Sequence, residues 1–396
     1  MAGILTVDTI QSDSSYASTL NVASKMNFTS GMQIGGQDTT FGGMRNRIIN
    51  GDMRIDQRGT TQTNPNTAYV TDRWNAVSYG ASTVAQSTTA PTGFTNSLLW
   101  TTTTASAPSA GQWSALMQGI EGYNIVDLDW GSATAKTVTL SFWVRSSTTG
   151  TYSVGIGNAT TTTNVPGTQT RSFVSTYTIN AANTWEQKTI VIAGDTTGTW
   201  LKTNGLGICV TFDCGSGSTY QTGTLNTWQA GSYFRATGSV GISNTSSGNL
   251  YITGVQLEKG SVASAFEQLH YGHQLALCYR YNYVYYRRGA SSDGNIALPS
   301  VGSFYGATSV YTNITFPVTM RTTPSLTAPN RTNVFLFPSN NNSYYSPTVS
   351  LGHQFYNGCF ISAAITGTAT AGHATNSSLQ TSDWVNGDYL GFSAEL

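Results

Sequence analysis

Short runs in which apolar and polar positions alternate recur from about residue 46 to residue 267, separated by Gly, Asn, Thr and Ser. The clearest are Thr137–Val144, Gly150–Ile156, Thr189–Ile192, Gly207–Phe212 and Asn249–Leu257. A period of two is that of a strand with one buried face. A long series of such runs without intervening helices describes a β-sandwich or jelly roll. One stretch changes period. In Tyr251–Tyr286 the first residues alternate, and from Ala265 to Arg280 the residues Phe266, Leu269, His273, Leu277 and Tyr281 fall at helical steps of three and four. Tyr281–Tyr286 is aromatic and β-branched, which reads as a strand again. The pattern divides the chain into a sandwich at 46–267, a helix-and-strand linker at 268–286 and a second β domain at 287–396. In that last region Asn313–Leu326 gives an alternating strand with a proline stop, and Asn330–Ser350 reads as loops with exposed aromatics.

Residues 1–45 follow another rhythm. Three apolar pairs, Leu20/Val22, Met26/Phe28 and Met32/Ile34, repeat at a step of six, with Gly31, Gly35 and Gly36 at turns. A six-residue rung cannot enclose a core by itself and needs neighbouring rungs or neighbouring chains to bury its apolar face. This segment is expected to be fibre-like and to attach the chain to a larger assembly.

Composition narrows the functional classes. Of 396 residues only 9% are charged, 18 basic against 18 acidic, while 11% are aromatic and 42 are glycine. An ordinary domain carries about 25% charged residues, so the polar surface here is hydroxyl and amide rather than ionic. A neutral chain lacks the basic excess that phosphate binding requires, and no apolar run approaches the about 20 residues of a membrane span. Neither nucleic acid nor membrane insertion is expected. The opening MAGILTVDTI has no charged n-region or apolar core of signal-peptide length, so synthesis in a cytoplasm is expected. Cys209, Cys214, Cys278 and Cys359 are too few and too scattered for a disulfide framework and read as buried thiols.

A set of motifs then resembles a known family. Asn46-Arg47-Ile48-Ile49-Asn50-Gly51-Asp52-Met53-Arg54-Ile55-Asp56-Gln57-Arg58-Gly59 is followed by Tyr69-Val70-Thr71-Asp72-Arg73-Trp74, Ser141-Phe142-Trp143-Val144-Arg145, Asn183-Thr184-Trp185-Glu186 and Gly194-Asp195-Thr196-Thr197-Gly198-Thr199-Trp200. Thr253-Gly254-Val255-Gln256-Leu257-Glu258, Ala265-Phe266-Glu267 and Leu275-Ala276-Leu277-Cys278-Tyr279-Arg280-Tyr281 close the series. In this order the set, over about residues 44–286, resembles tail-fibre and related virion structural proteins of tailed phages, especially marine and cyanobacterial ones. The resemblance implies a jelly roll similar to carbohydrate-binding modules, carried on a homotrimeric fibre. It places Ile48–Ile55 beside Val255–Leu257, and it supplies no catalytic residues. In a trimer the helix is expected on the axis, with Leu275, Leu277, Cys278 and Tyr281 between copies.

The remaining candidates come from residue chemistry. Asp52, Arg54, Asp56 and Arg58 alternate in sign at two-residue spacing, which on a strand puts them on one face. With Asp72 and Arg73 they read as a structural Arg–carboxylate network. Trp143 alternates against Phe142 and Val144 and so points away from the main core. Trp143, Tyr344, Tyr345, Phe355, Tyr356 and Trp384 are the candidate glycan contacts, since sugars need flat apolar faces beside hydroxyls and amides. Asp127, Asp129 and Asp195 are weak calcium candidates; no other cofactor or metal is expected. Four histidines form no ligand or catalytic pattern. Glu121, Asp127 and Asp129 are the carboxylates that a glycosidase reading would use.

The expectation is an all-β protein: an N-terminal fibre-like segment, a central jelly roll, one linking helix and a C-terminal β-sandwich. Its expected role is non-enzymatic, on the virion exterior. Residues 1–45 would bind a tail or capsid protein, and the β domains a host polysaccharide. A head fibre or decoration protein and a polysaccharide-degrading spike are the alternatives.

Overall fold

The computed structural model describes residues 33–34, 37–38, 44–158, 168–287, 296–328, 335–339, 342–346, 349–379, 384 and 388–396. The chain divides into two compact units, Met1–Gly43 and Met44–Leu396. In the first, Gln33–Ile34 and Gln37–Asp38 pair antiparallel. The apolar pairs Leu20/Val22 and Met26/Phe28, and Met32 of the third, lie outside the described residues.

The second unit opens with a two-sheet sandwich. Its main strands are β1 (Ala81–Ser87), β2 (Ser97–Thr104), β3 (Trp113–Glu121), β4 (Val138–Ser146), β5 (Gly150–Gly157), β6 (Arg171–Ile179), β7 (Glu186–Ile192), β8 (Leu206–Ser216) and β9 (Asn249–Lys259). One sheet runs β7-β4-β9-β2-β1 and ends on Gln62–Thr63. The other begins at Trp228–Ala230 and continues β6-β5-β8-β3, then Asn75–Val77 and Ala68–Tyr69. The alternation read from the sequence fills the space between them. Val138, Leu140, Phe142 and Val144 of β4 face Ile208, Val210, Phe212 and Cys214 of β8 in one core, with the Phe142 and Phe212 rings edge to face at 5.0 Å.

The segment after Met44 does run beside β9, although it is not a strand. The Arg47 amide donates to Leu257 O at 2.9 Å and the Val255 amide to Gly51 O at 2.9 Å. Between them the Asn46 side chain completes the ladder, donating to Val255 O and accepting from the Leu257 amide. A Cβ on Gly51 would lie 2.1 Å from Val255 O, so only glycine permits this approach. Asn50 and Met53 take left-handed φ of 57° and 59°, and the Met53 amide closes a turn on Asn50 O. These turns overrule the expected alternation: Asp52, Arg54, Asp56 and Arg58 do not share a strand face.

The linking helix is shorter and placed otherwise than its periodicity suggests. Helix α1 covers Tyr271–Tyr279, capped by the His270 ring accepting from the Gly272 amide at 3.3 Å. Phe266 and Leu269 precede it in non-helical chain. It packs on the outer face of the seven-stranded sheet, where Cys278, Tyr281 and Leu396 join Ile49, Ile55, Val77, Ala115, Met117 and Cys209, with Leu275 and Leu277 half-buried against them. Cys278 and Tyr281 are therefore sealed by their own chain and offer no surface to a second copy, contrary to the expected axial contact. A sheet face carrying Ala115, Met117 and Cys209 is apolar on both sides and has to be covered; α1 covers it.

The C-terminal domain has its own core. After β10 (Asn282–Arg287) come β11 (Ile296–Gly306), β12 (Ser309–Thr315), β13 (Phe335–Ser339), β14 (Asn342–Ser346), β15 (Val349–Phe355), β16 (Gly358–Ala364), β17 (Ala374–Leu379) and β18 (Tyr389–Ser393). One sheet runs β14-β13-β17-β11-β12-β16-β15, and β10, β18 and Ser325–Thr327 form a second. Phe304, Val310, Ile314, Phe335, Phe337, Ile361, Phe392 and Trp384 fill the core. Trp384 is 2% exposed, its ring 5.8 Å from that of Tyr286. A buried indole makes no receptor contact, which removes Trp384 from the glycan candidates.

Candidate functional site

Two surfaces and one charged junction hold the chemistry. The first surface is the outer face of the six-stranded sheet. Trp143 and Arg145 alternate with core residues along β4 and so share that face. Arg145 is registered with Tyr251 of β9, Tyr251 with Leu99 of β2, and Trp143 with Thr253 and Gln187. The Arg145 guanidinium stacks over the Tyr251 ring at 4.8 Å, and Trp185 meets the same ring edge to face at 6.0 Å. The Arg145 Nε donates to Asn183 O at 2.9 Å, fixing the side chain against the turn before β7. Trp143 is half-buried, as its alternation implied. It packs beside Gly254, which interrupts the β9 register with φ +59°; a Cβ there would lie 2.7 Å from Phe94 and 3.1 Å from Trp143. Trp185 and Tyr251 were legible only as members of motifs. Their proximity to Arg145 is a product of strand order, which no local pattern encodes.

The second surface is an open cleft of about 590 Å³ at the β15–β16 turn, lined by Thr319, Gln354, Phe355, Tyr356 and Asn357. Phe355 and Tyr356 are both more than half exposed. The turn is fixed from behind: the Phe316 amide donates to Asn357 O at 3.0 Å and the Met320 amide to Tyr356 O at 2.7 Å. Two side-chain amides, two hydroxyls and two aromatic rings thus line it with no charged residue among them, and the Arg280 Nη1 donates to the Thr319 carbonyl at 3.3 Å at its border. Tyr344 and Tyr345 are half-buried elsewhere on this domain. The Tyr344 ring lies edge to face on Phe304 at 5.2 Å and its hydroxyl donates to Thr368 O at 3.3 Å.

The charged junction lies between sandwich and C-terminal domain. Arg54 pairs with Asp52, and Arg73 and Arg58 both pair with Glu395, a partner the sequence did not suggest. The Arg73 guanidinium also lies 3.6 Å from the Tyr281 ring centroid. Asp72 accepts from the Gln57 amide and side chain and from Asn282 Nδ2 at 3.3 Å, while Asp56 accepts from the Gly59 amide at 2.7 Å. Arg321 donates to the carbonyls of Ala394, Glu395 and Asn204, and the Tyr69 hydroxyl donates to Leu396 O at 2.7 Å. Burial dominates the titration here and raises Asp72 to about 6 despite Arg58. It likewise raises Asp213 to about 6 despite Arg235.

The carboxylates considered for catalysis or calcium are engaged. Glu121 is buried and accepts from Arg280 Nε at 2.8 Å, Arg280 Nη2 at 2.5 Å and the Tyr281 hydroxyl at 2.6 Å. Asp127 pairs with Arg47 and Lys259, Asp129 with Lys202, and Asp195 accepts both Nε and Nη2 of Arg171. All four cysteines are free and buried, as expected. Burial pushes the Cys209 and Cys359 thiols up to about 12, so neither is a nucleophile at neutral pH.

No family model and no curated protein matches the chain. Among solved structures it is similar to the enzymatically active domain of bacteriophage CBA120 tailspike protein 4, at TM-score 0.28 and 14% identity, covering 54% of this chain and 21% of that one. It is also similar to the CBM22-1 xylan-binding domain of Paenibacillus barcinonensis Xyn10C, at TM-score 0.23 and 10% identity over 52% of this chain and 97% of that one. A family 11 carbohydrate-binding module from Clostridium thermocellum gives TM-score 0.25 and 10% identity, covering 52% and 98%. At these scores and identities the likenesses say nothing about what this chain binds.

Proposed function

We propose that the chain is a non-enzymatic fibre protein of a tailed-phage virion, attached through residues 1–45 and adsorbing as a homotrimer to polysaccharide on the host surface. The observation that carries the adsorption reading is the Tyr356 cleft. Its amides and hydroxyls match the hydrogen-bonding capacity of a sugar, its rings offer apolar faces, and the one guanidinium beside it, Arg280, is already held by Glu121 and the Thr319 carbonyl. Between Ile296 and Asp383 the sequence holds only two charged side chains, Arg321 and Arg331, so contact with a neutral glycan there needs no ion pairing and is insensitive to salt. Three copies on one particle multiply weak contacts by avidity, by about 10² to 10⁴ over a single site. What supports the non-enzymatic reading is that Glu121, Asp127 and Asp129 already hold cationic partners.

Adsorption of purified protein to host cells tests the reading. Tyr356→Ala together with Asn357→Ala is expected to reduce adsorption at least about tenfold while leaving folding intact, because both sit on an exposed turn. Wild-type binding by the double variant would overturn it. Release of sugar from host envelope would overturn the non-enzymatic part, and imaging of whole particles with the chain on the capsid would favour a head fibre instead.

A further inference from the structure

The outer face of the six-stranded sheet carries a feature that the uncharged cleft lacks. Arg145 forms no ion pair among the described residues, whereas eleven basic-to-acidic contacts are made among them. Its Nε is occupied by Asn183 O, which orients the guanidinium and leaves the two terminal amino groups directed elsewhere. Glu186, which opens the neighbouring strand β7, is already held by Lys188, by Asn180 Nδ2 and by the amides of Asn180 and Ala181. A cation with its guanidinium over Tyr251, flanked by Trp185 and with Trp143 one alternation away on the same strand, combines one charge with aromatic surface. Neighbouring strands stand about 4.8 Å apart, so a row crossing β7, β4 and β9 spans about 10 Å, room for roughly two sugar rings.

We propose that the Trp185–Arg145–Tyr251 row is a second saccharide site, specific for carboxylate-bearing sugars of the uronate class. The terminal amino groups of Arg145 take the sugar carboxylate as a fork, and the flanking rings take the apolar faces of adjacent residues of the polymer. A planar guanidinium pre-set by one backbone acceptor and one stacked ring suits a planar carboxylate, in a way that a lysine ammonium does not. The site is chemically separate from the Tyr356 cleft and does not depend on it.

Affinity electrophoresis of the full chain through gels containing polygalacturonate, dextran sulfate or hydroxyethylcellulose tests this. Wild type is expected to be retarded by polygalacturonate more than by dextran sulfate. Arg145→Met, which keeps the aliphatic stem, is expected to weaken polygalacturonate binding about tenfold or more, and Arg145→Lys to restore only part of it. Trp185→Ala is expected to weaken it too, with the melting temperature of each variant confirming the fold. An unretarded wild type, wild-type retardation of Arg145→Met, or equal retardation by dextran sulfate would each overturn the proposal. Host-cell adsorption that depends on Tyr356 but not on Arg145 would leave the function above standing while this site fell.

Discussion

The sandwich and the C-terminal domain are both two-sheet β structures of one chain, yet they are held in different ways. The sandwich and its junction contain most of the charge: Arg73, Arg58, Asp72 and Asp213 are buried, and each has named partners. From Ile296 to Leu379 the C-terminal domain has Arg321 and Arg331 and nothing else that is ionised at neutral pH. Arg321 spends its donors on three carbonyls at the junction rather than on a carboxylate. One region is thus fixed by directional, water-excluded ion pairs, which define a single arrangement at a cost in desolvation. The other relies on apolar burial and on hydroxyl and amide hydrogen bonds, which leaves its surface neutral. Geometry is set at the charged junction, and the surface beyond it is left neutral.

The largest break in this comparison is at Glu395. Removing its carboxylate strands two guanidiniums, Arg73 and Arg58, whose side chains are 1% and 7% exposed. Breaking a buried pair on one side costs about 3–5 kcal/mol. Glu395→Gln is expected to lower the unfolding free energy of the sandwich by that amount, read as a shift of its urea midpoint at unchanged m. Hydrogen exchange is expected to rise at Tyr69, Arg73 and α1, with β11 and β12 remaining protected. A uniform loss of protection across both domains would show that the two cores do not differ in this way.

A smaller effect separates the two regions by pH. Asp72 and Asp213, raised by burial from 3.8 to about 6 in the folded chain, bind protons more tightly folded than unfolded. The native state therefore takes up protons between about 6 and 3.8, and stability of the sandwich rises as pH falls through that window. The gain is on the order of 3 kcal/mol for each carboxylate. Below it the trend reverses. Glu186 is held at about 2 because Lys188 and the amides of Ala181 and Asn180 outweigh its partial desolvation, and its contribution is lost as pH falls from about 4.5 toward 2. The C-terminal domain has no Asp or Glu from Ile296 to Leu379, and its midpoint is expected to move less between pH 7 and 4 than that of the sandwich. Domain-resolved hydrogen exchange at pH 7, 5.5 and 4 measures both; a sandwich that weakens steadily from pH 7 would refute the assignment.

How much of this was readable in advance follows from the range of the interactions. The strands Val138–Ser146 and Leu206–Ser216 were visible because alternation is local and their inner faces share a core. The neighbourhood of Asn46–Gly51 and β9 was visible only through resemblance. Helix α1 was shortened because Phe266 pairs with Phe94 at 5.2 Å, a partner 172 positions away, and not with the next helical turn. Arg–carboxylate partnership was legible as chemistry but not as pairing, since Glu395 lies over 300 residues from Arg73. The exposure of Phe355 and Tyr356 was legible because aromatics beside amides in a polar stretch stand out. Trp384 was misplaced because a lone tryptophan among loop residues carries no sign of which face it meets.

The smallest effect tests whether the neutral domain is free on its outer face. Tyr305 is 77% exposed and Val301 66%, and the Tyr305 ring touches Tyr311 edge to face at 5.3 Å. In a single chain, truncating so exposed a side chain changes stability by about 0.5 kcal/mol or less. Tyr305→Ala is therefore expected to melt with the wild type at low protein concentration. If copies meet through this face, wild-type melting rises with concentration, because association adds to the folded state by mass action, and Tyr305→Ala abolishes the rise. Concentration-independent melting of the wild type would count against association of copies, whereas a rise that Tyr305→Ala leaves intact would point to another face, which the same titration with Leu277→Ala tests at the half-buried edge of α1.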